Sequence, residues 1–180
     1  RWNTALNESS LESFSRIRTS LNKQTLMEVS KKRLDQCKKD GDYFEALFKS
    51  RVEDLGLTFK QSSQQDDWYR HIDCYVDGYG VDVKGNRHLE TIWLEVTNVN
   101  GNKGWLRGEA YYVAMHIAEL DKFSVYLRED LLNHIKENTT EYTEDKRDYN
   151  KFYTSSKWGK KDILVKYRYE DIKYLEVKKI

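Results

Sequence analysis

Proline is missing altogether from this chain, cysteine occurs twice, and positive and negative side chains all but cancel, 31 against 30. The two cysteines, Cys37 and Cys74, are far apart in sequence, one in a basic helical stretch and one at an inward strand position. Their placement suggests buried or incidental thiols in a reducing, intracellular compartment, with no disulfide framework or cysteine zinc site expected. No apolar run approaches the roughly 18 residues of a membrane span, so no membrane association is expected, and no signal peptide is legible. His71, His88, His116 and His134 show no metal-ligand spacing of the His-Glu-x-x-His kind, and no phosphate-binding P-loop is present. Repeats and low-complexity tracts are absent as well. The lack of proline has no physical explanation; with abundant Lys, Asn and Tyr it fits an AT-rich genome. A formal charge of +1 identifies no partner by itself.

What is there suits one domain with a core of ordinary size and a terminal extension: 180 residues, 38% of them hydrophobic. Charge is unevenly distributed along it. Residues 16–39 carry eight Lys and Arg (Arg16, Arg18, Lys23, Lys31, Lys32, Arg33, Lys38, Lys39) against Glu28 and Asp35. Residues 145–180 are also basic, so the middle, 40–144, is acidic. Basic ends around an acidic centre suit a protein that holds cations centrally and meets a polyanion at its flanks, although solvated helix faces produce similar imbalances. Residues 1–39 are expected to form a basic helical extension, with Ser10 capping a helix through Arg18 and a second run over 23–39; residues 40–180 are expected to form the domain proper. The extension either docks on the domain or makes a partner interface, a homodimer being one arrangement.

Within the domain, Phe44, Leu47, Phe48, Val52 and Leu55 make a helical stripe that Gly56 stops. The polar stretch 61–67 reads as a loop. Strands follow over 70–76, 79–85 and 91–97. After VNGNKG, the spacing of Leu106, Ala110, Val113, Ala114 and Ile117 predicts an amphipathic helix over 105–119. A strand over 122–128, a helix over 129–138 opened by two acids, a strand over 162–168 and a short closing element complete an α+β or α/β plan, a small mixed sheet flanked by helices.

The chemistry concentrates in HIDCYVDGYGVDVKG, residues 71–85. Alternation puts Cys74, Val81 and Val83 on one face and Asp73, Asp82 and Lys84 on the other. An Asp77-Gly78 two-residue turn pairs Val76 with Tyr79 and Cys74 with Val81, which sets Asp73 opposite Asp82. Carboxylates at that spacing repel, and a hard divalent cation reverses the sign of the interaction. Lys84 can then hold or deprotonate a water, or neutralise charge on a phosphate. The alternative is a solvated outer face on which Lys84 balances one Asp. Glu45, at the edge of the first helical stripe, and Glu95, between apolar neighbours in IWLEVTN, are further candidate carboxylates.

This pattern resembles the PD-(D/E)XK nuclease superfamily, whose core runs helix, three strands, helix, strand, with an Asp near one strand and Asp/Glu-x-Lys on the next. Here those residues read as Asp73 and Asp82-Val83-Lys84, with Glu45 as the helix acid; the stretch NVNGNKGWLRGEAYYVA looks like phage-type members carrying a Gly-rich turn before the second helix. A second frame takes Asp82 as the first acid and Glu95-Val96-Thr97 as the motif, but Thr97 then stands where lysine is expected. The resemblance implies Mg²⁺-dependent cleavage of DNA phosphodiester bonds, with Mn²⁺ able to substitute. Asp73 and Asp82, helped by Glu45 or Glu95, would hold the metal, and Lys84 would position water. Its cellular setting would be cytoplasmic, the host's if phage-encoded. Some superfamily members have lost catalysis, so a nucleic-acid-binding or assembly module is the alternative, and an enzyme of small phosphates a third reading. DNA phosphates would be met by Asn102, Lys103 and Arg107, around the start of the expected second helix, and by Lys160 and Lys161 in the basic turn SSKWGKKD.

Overall fold

A computed structural model describes residue 32 and residues 35–85, 91–154, 159 and 161–180. The chain divides into two compact units, Arg1–Asp40 and Gly41–Ile180. In the first, residues 35–40 are helical; the helix expected over 10–18 and most of the basic residues of that stretch lie outside the described residues.

The second unit opens with helix α1, residues 41–54. Its Phe44, Phe48 and Val52 are buried, while Leu55 is exposed because the helix has already ended. Gly56 adopts φ +72°, the left-handed stop at which its N–H reaches the Glu53 carbonyl. Strands β1 (Phe59–Gln61), β2 (Cys74–Val76), β3 (Tyr79–Lys84), β4 (Thr91–Thr97), β5 (Tyr112–Ile117) and β6 (Lys122–Leu127) follow, then helix α2 (Arg128–Asn138), β7 (Tyr142–Thr143), β8 (Phe152–Thr154), β9 (Ile163–Arg168), helix α3 (Tyr169–Ile172) and β10 (Glu176–Lys179). They make two mixed sheets in an α+β arrangement: β1-β2-β3-β5-β6-β10, and β4-β9-β8-β7.

Between β1 and β2, where a loop over 61–67 and a strand from 70 are expected, stands the π-helical turn Asp66–Arg70, and β2 begins only at Cys74; two further expectations are corrected. Residues 112–117 form a strand, not part of a helix. The run YVAMHI is buried almost throughout, paired with β3 on one side and β6 on the other. A strand buried on both faces is a continuous apolar run, and over this length its periodicity coincides with that of a helix. Only Trp105–Arg107 keeps a helical turn, a 3₁₀ one, so no helix N-terminus stands beside Lys103. The second correction concerns 91–97. This strand does not extend the hairpin's sheet but pairs with β9 in the other one. The third strand of the antiparallel set is β1, which pairs with β2.

Two apolar clusters follow from this layout. Cys74, Val81, Val83, Ala114, Phe123 and Val125 meet α1 through Phe44, Phe48 and Val52. On the other face of the first sheet, Val113, Met115, Ile117 and Tyr126 join Ile92 and Leu94 of β4, Leu106 and Leu131. Asp82 and Lys84 lie on this second face, opposite Val113 and Met115 in the parallel register.

Candidate active site

The β2–β3 hairpin has the register its Asp-Gly turn implies. Cys74 pairs with Val81 and Val76 with Tyr79, and Asp77 and Gly78 both take positive φ, 48° and 86°, which sets the strands' twist without splaying them. One step beyond the ladder, Asp73 takes over from the backbone. Its N–H donates to the Val81 carbonyl at 2.9 Å, and its Oδ2 accepts the Val83 N–H at 2.6 Å. From the other side, Ser62 N–H and Gln61 Nε2 donate to the Asp73 carbonyl. The left-handed His71 (φ 54°) then turns the preceding chain away. Asp73 is therefore fixed by both neighbouring strands, with its carboxylate turned toward β3.

The face carrying Asp82 is not a solvated one: Asp82 is 1% exposed and Asp73 8%. Lys84, about one-third exposed, ion-pairs with Asp82 and stands 4.0 Å from Asp73 Oδ2. Its ammonium also lies 5.4 Å from the centre of the Trp105 ring. Asp82 Oδ2 is buried with no hydrogen-bond partner. Burial pushes the Asp82 carboxyl well above the usual carboxylate range; Asp73 adds to the rise, and Lys84 opposes it. Burial works to lower the Lys84 ammonium's pKa, but Asp82 and then Asp73 overcome it, and the net direction is up.

Glu45 reaches this site from α1. The helix is seated by Phe44, which packs on His116 at 4.9 Å between ring centres and crosses Gly85 so closely that a Cβ there would fall 1.7 Å from its ring. Half-buried, Glu45 has its carboxyl pushed up to about 7 by burial and then by the charges of Asp73 and Asp67. Asp67 was invisible in the polar stretch QSSQQDD. It too is raised, by burial and then by Asp73, and lowered by Lys84, which places it in the same electrostatic group. It lies six residues before Asp73, in a stretch whose composition gives no sign of a site.

Glu95 arrives from the other sheet. Its Oε2 accepts the Trp105 N–H at 3.3 Å, so one oxygen is engaged in holding the 3₁₀ turn. Gly104 makes that approach possible, since a Cβ there would stand 2.4 Å from the Glu95 carbonyl oxygen. Thr97 is bridged to Lys103, and in the alternative frame Asp82 and Glu95-Val96-Thr97 stand on different sheets. His71 is half-buried; burial and then Lys84 lower its pKa, against Glu95, Asp73 and Asp67.

Beside His71 runs a cleft of about 550 Å³, lined among others by Trp68, Tyr69, Asn102, Lys103 and Arg107. Lys161 is held next to this loop by its N–H bond to the Val99 carbonyl, 3.2 Å. Lys160 lies outside the described residues, as do His88 and Trp158. Of the other histidines, His116 is buried between Phe44 and Phe123 and His134 is bonded to Tyr174.

Among the described residues, no three His, Cys, Asp or Glu side chains are grouped so as to hold a metal ion as they stand, and none of the helices is long and apolar enough to cross a membrane. Cys37 and Cys74 are free thiols, the latter buried and pushed up to about 12 by that burial. No family model, curated protein or solved structure matches the chain.

Proposed function

We propose that this chain is a metal-dependent nuclease that hydrolyses DNA phosphodiester bonds, with Asp73, Asp82 and Lys84 at its centre. The observation that carries the reading is a buried carboxylate with an unpartnered oxygen, Asp82 Oδ2, set opposite a second carboxylate with one ammonium between them. A fold selected for stability alone gains nothing from that arrangement, since burying like charges side by side costs more than an apolar pair would. The donors are all oxygen, which suits Mg²⁺ or Mn²⁺ over softer ions.

Further support comes from the sheet. The succession α1, β1, β2, β3, β5, with the first three strands antiparallel and β5 parallel to β3, follows the order expected of the PD-(D/E)XK superfamily once β1 is counted and β4 set aside. The acid stands at the head of β2 and Asp-x-Lys on β3. The crossover from β3 to β5 departs from that pattern, because β4 and a 3₁₀ turn stand where a helix is expected.

In this reading Asp73 and Asp82 would hold the cation, assisted by Glu45 and Asp67; Glu95 serves chiefly to position Trp105. Once bound, a divalent cation polarises a phosphoryl oxygen and acidifies a water. Asp73 enters the reaction already oriented by the Val83 amide. Lys84 is placed to hold the attacking water or to meet charge gathering on the phosphate. Lys103 and Arg107 line the approach and position the backbone.

The test is cleavage of plasmid, single-stranded and branched DNA in Mg²⁺, Mn²⁺ and EDTA, with wild type, Asp82→Ala and Lys84→Ala. Metal-dependent cleavage lost in both variants is expected; wild-type-like cleavage by both would overturn the assignment. Binding without cleavage in either metal would identify a silent, nucleic-acid-binding member of the same design.

A further inference from the structure

We infer that the cleft beside the carboxylates takes single-stranded nucleic acid, an unpaired strand or frayed end, in preference to an intact duplex. This deepens the nuclease reading and rests on it for the chemistry, though not for the binding. Three features of the cleft carry the inference.

The first is a pair of aromatic side chains with no folding role. Trp68 and Tyr69 are 63% and 76% exposed, on the π-helical turn Asp66–Arg70, which buries none of its residues. Leaving two large rings in water forgoes the gain that burial would bring.

The second is that the turn presenting them is pinned. Arg70 Nε donates to Glu109 Oε2 at 2.7 Å and Nη1 to Asp66 Oδ1 at 2.8 Å, while the Glu109 N–H donates to the Arg70 carbonyl at 2.7 Å. Gly108 lies so close beneath that a Cβ would fall 2.8 Å from the same carbonyl. The rings are thus carried on a braced turn that lines the cleft.

The third is the set of polar and basic side chains that line the same cleft. Asn98 Oδ1 accepts the N–H groups of Asn100 and Asn102 at 3.0 Å each, stiffening the loop that carries Lys103. Among the described residues neither Lys103 nor Arg107 has a carboxylate partner, whereas Asp66 and Glu109 are both engaged by Arg70. The cleft therefore brings free cations and exposed rings together, and His71, two residues before Asp73, lines it as well.

A positive track with aromatic faces along it is the chemistry that binds a single strand, because the phosphates meet the cations and the bases stack on the rings. In a duplex the base faces are already stacked on one another, and only the phosphates can engage. The volume, about 550 Å³, falls in the range of sites for small organic ligands, and so suits a nucleotide or two.

The experiment is fluorescence anisotropy in EDTA, where no cleavage intervenes. A labelled mixed-sequence 12-mer and its blunt duplex are titrated with wild type, Trp68→Ala, Trp68→Phe and Lys103→Ala/Arg107→Ala, each variant's fold checked by its melting midpoint. The single strand is expected to bind at least about ten-fold tighter than the duplex. Trp68→Ala should weaken single-strand binding by about 5- to 150-fold and duplex binding little, with Trp68→Phe largely restoring it; the double cation variant should weaken both and flatten the salt dependence. Equal affinity for the two forms, an unchanged single-strand affinity in Trp68→Ala, or no nucleic-acid binding beside a protein partner that engages Trp68 would overturn the inference. Duplex cleavage without strand preference would sink it while leaving the nuclease reading intact, and tight single-strand binding without metal-dependent cleavage would do the reverse.

Discussion

Asp73 and Asp82 flank the last ladder pair of the β2–β3 hairpin, Cys74–Val81, and share a single ammonium, Lys84, which pairs with Asp82 and stands 4.0 Å from Asp73. Each acid is held differently. Asp73 satisfies a strand amide and so completes the sheet's hydrogen bonding, whereas Asp82 keeps one oxygen buried and unpartnered. The first is engaged by the backbone. The second is engaged through one oxygen by Lys84 and leaves the other free, and separating these roles experimentally is direct.

Asp82→Asn keeps the size and shape of the side chain while taking the carboxylate away from Lys84 and Asp73. Stability is expected to change by no more than about 2 kcal/mol, since the Lys84 ammonium left behind is one-third exposed and still has Asp73 at 4.0 Å. Metal-dependent cleavage should fall by about 100-fold or more. Urea unfolding read beside a cleavage assay separates the two effects. A loss of more than about 2 kcal/mol would show that Asp82 is part of the scaffold instead.

The site also sets the sign of the pH dependence. Glu45 is raised from an ordinary 4.5 to about 7 in the folded protein, so between those values the folded state binds more protons than the unfolded one. Stability without divalent metal is therefore greatest below about pH 4.5 in respect of this group, and is lost as pH rises through about 7. Asp82, also raised, acts in the same direction. Melting midpoints in EDTA should fall from pH 5 to pH 8 less steeply in Glu45→Gln than in wild type. Millimolar Mg²⁺ at pH 8 should raise the wild-type midpoint, because it binds the folded state. Identical pH slopes in wild type and Glu45→Gln would remove Glu45 from the site.

The hairpin and its acids were legible because the signals involved are local. Asp77-Gly78 sets a two-residue turn, alternation sets the faces, and together they bring Asp73 opposite Asp82 without any knowledge of the rest of the chain. That Asp82 would be buried was not legible. Burial comes from β4, Leu106 and Trp105 covering that face, and strand partners distant in sequence leave no local trace. The same nonlocality hid the departure of β4 to the second sheet. At β5 the difficulty was one of period: Leu106, Ala110, Val113, Ala114 and Ile117 fit a helix as well as a doubly buried strand, and pairing with both β3 and β6 decided it.

Asp67 tests how far the site extends beyond what the sequence revealed. It is exposed at the surface, yet its carboxyl responds first to burial and then to Asp73, with Lys84 opposing. A carboxylate in that position would attract a cation without being needed for the fold, for its turn buries nothing. Asp67→Asn should leave the melting midpoint unchanged. It should raise the Mg²⁺ concentration for half-maximal cleavage by about ten-fold, the scale found when a group supporting metal ligands is lost, while cleavage at saturating Mg²⁺ recovers most of the wild-type rate. Asp82→Asn, by contrast, should not recover at any Mg²⁺ concentration, because it removes a proposed ligand. A metal titration of both variants against wild type distinguishes an outer carboxylate from an inner one. An unchanged half-maximal concentration in Asp67→Asn would confine the site to the hairpin and Glu45.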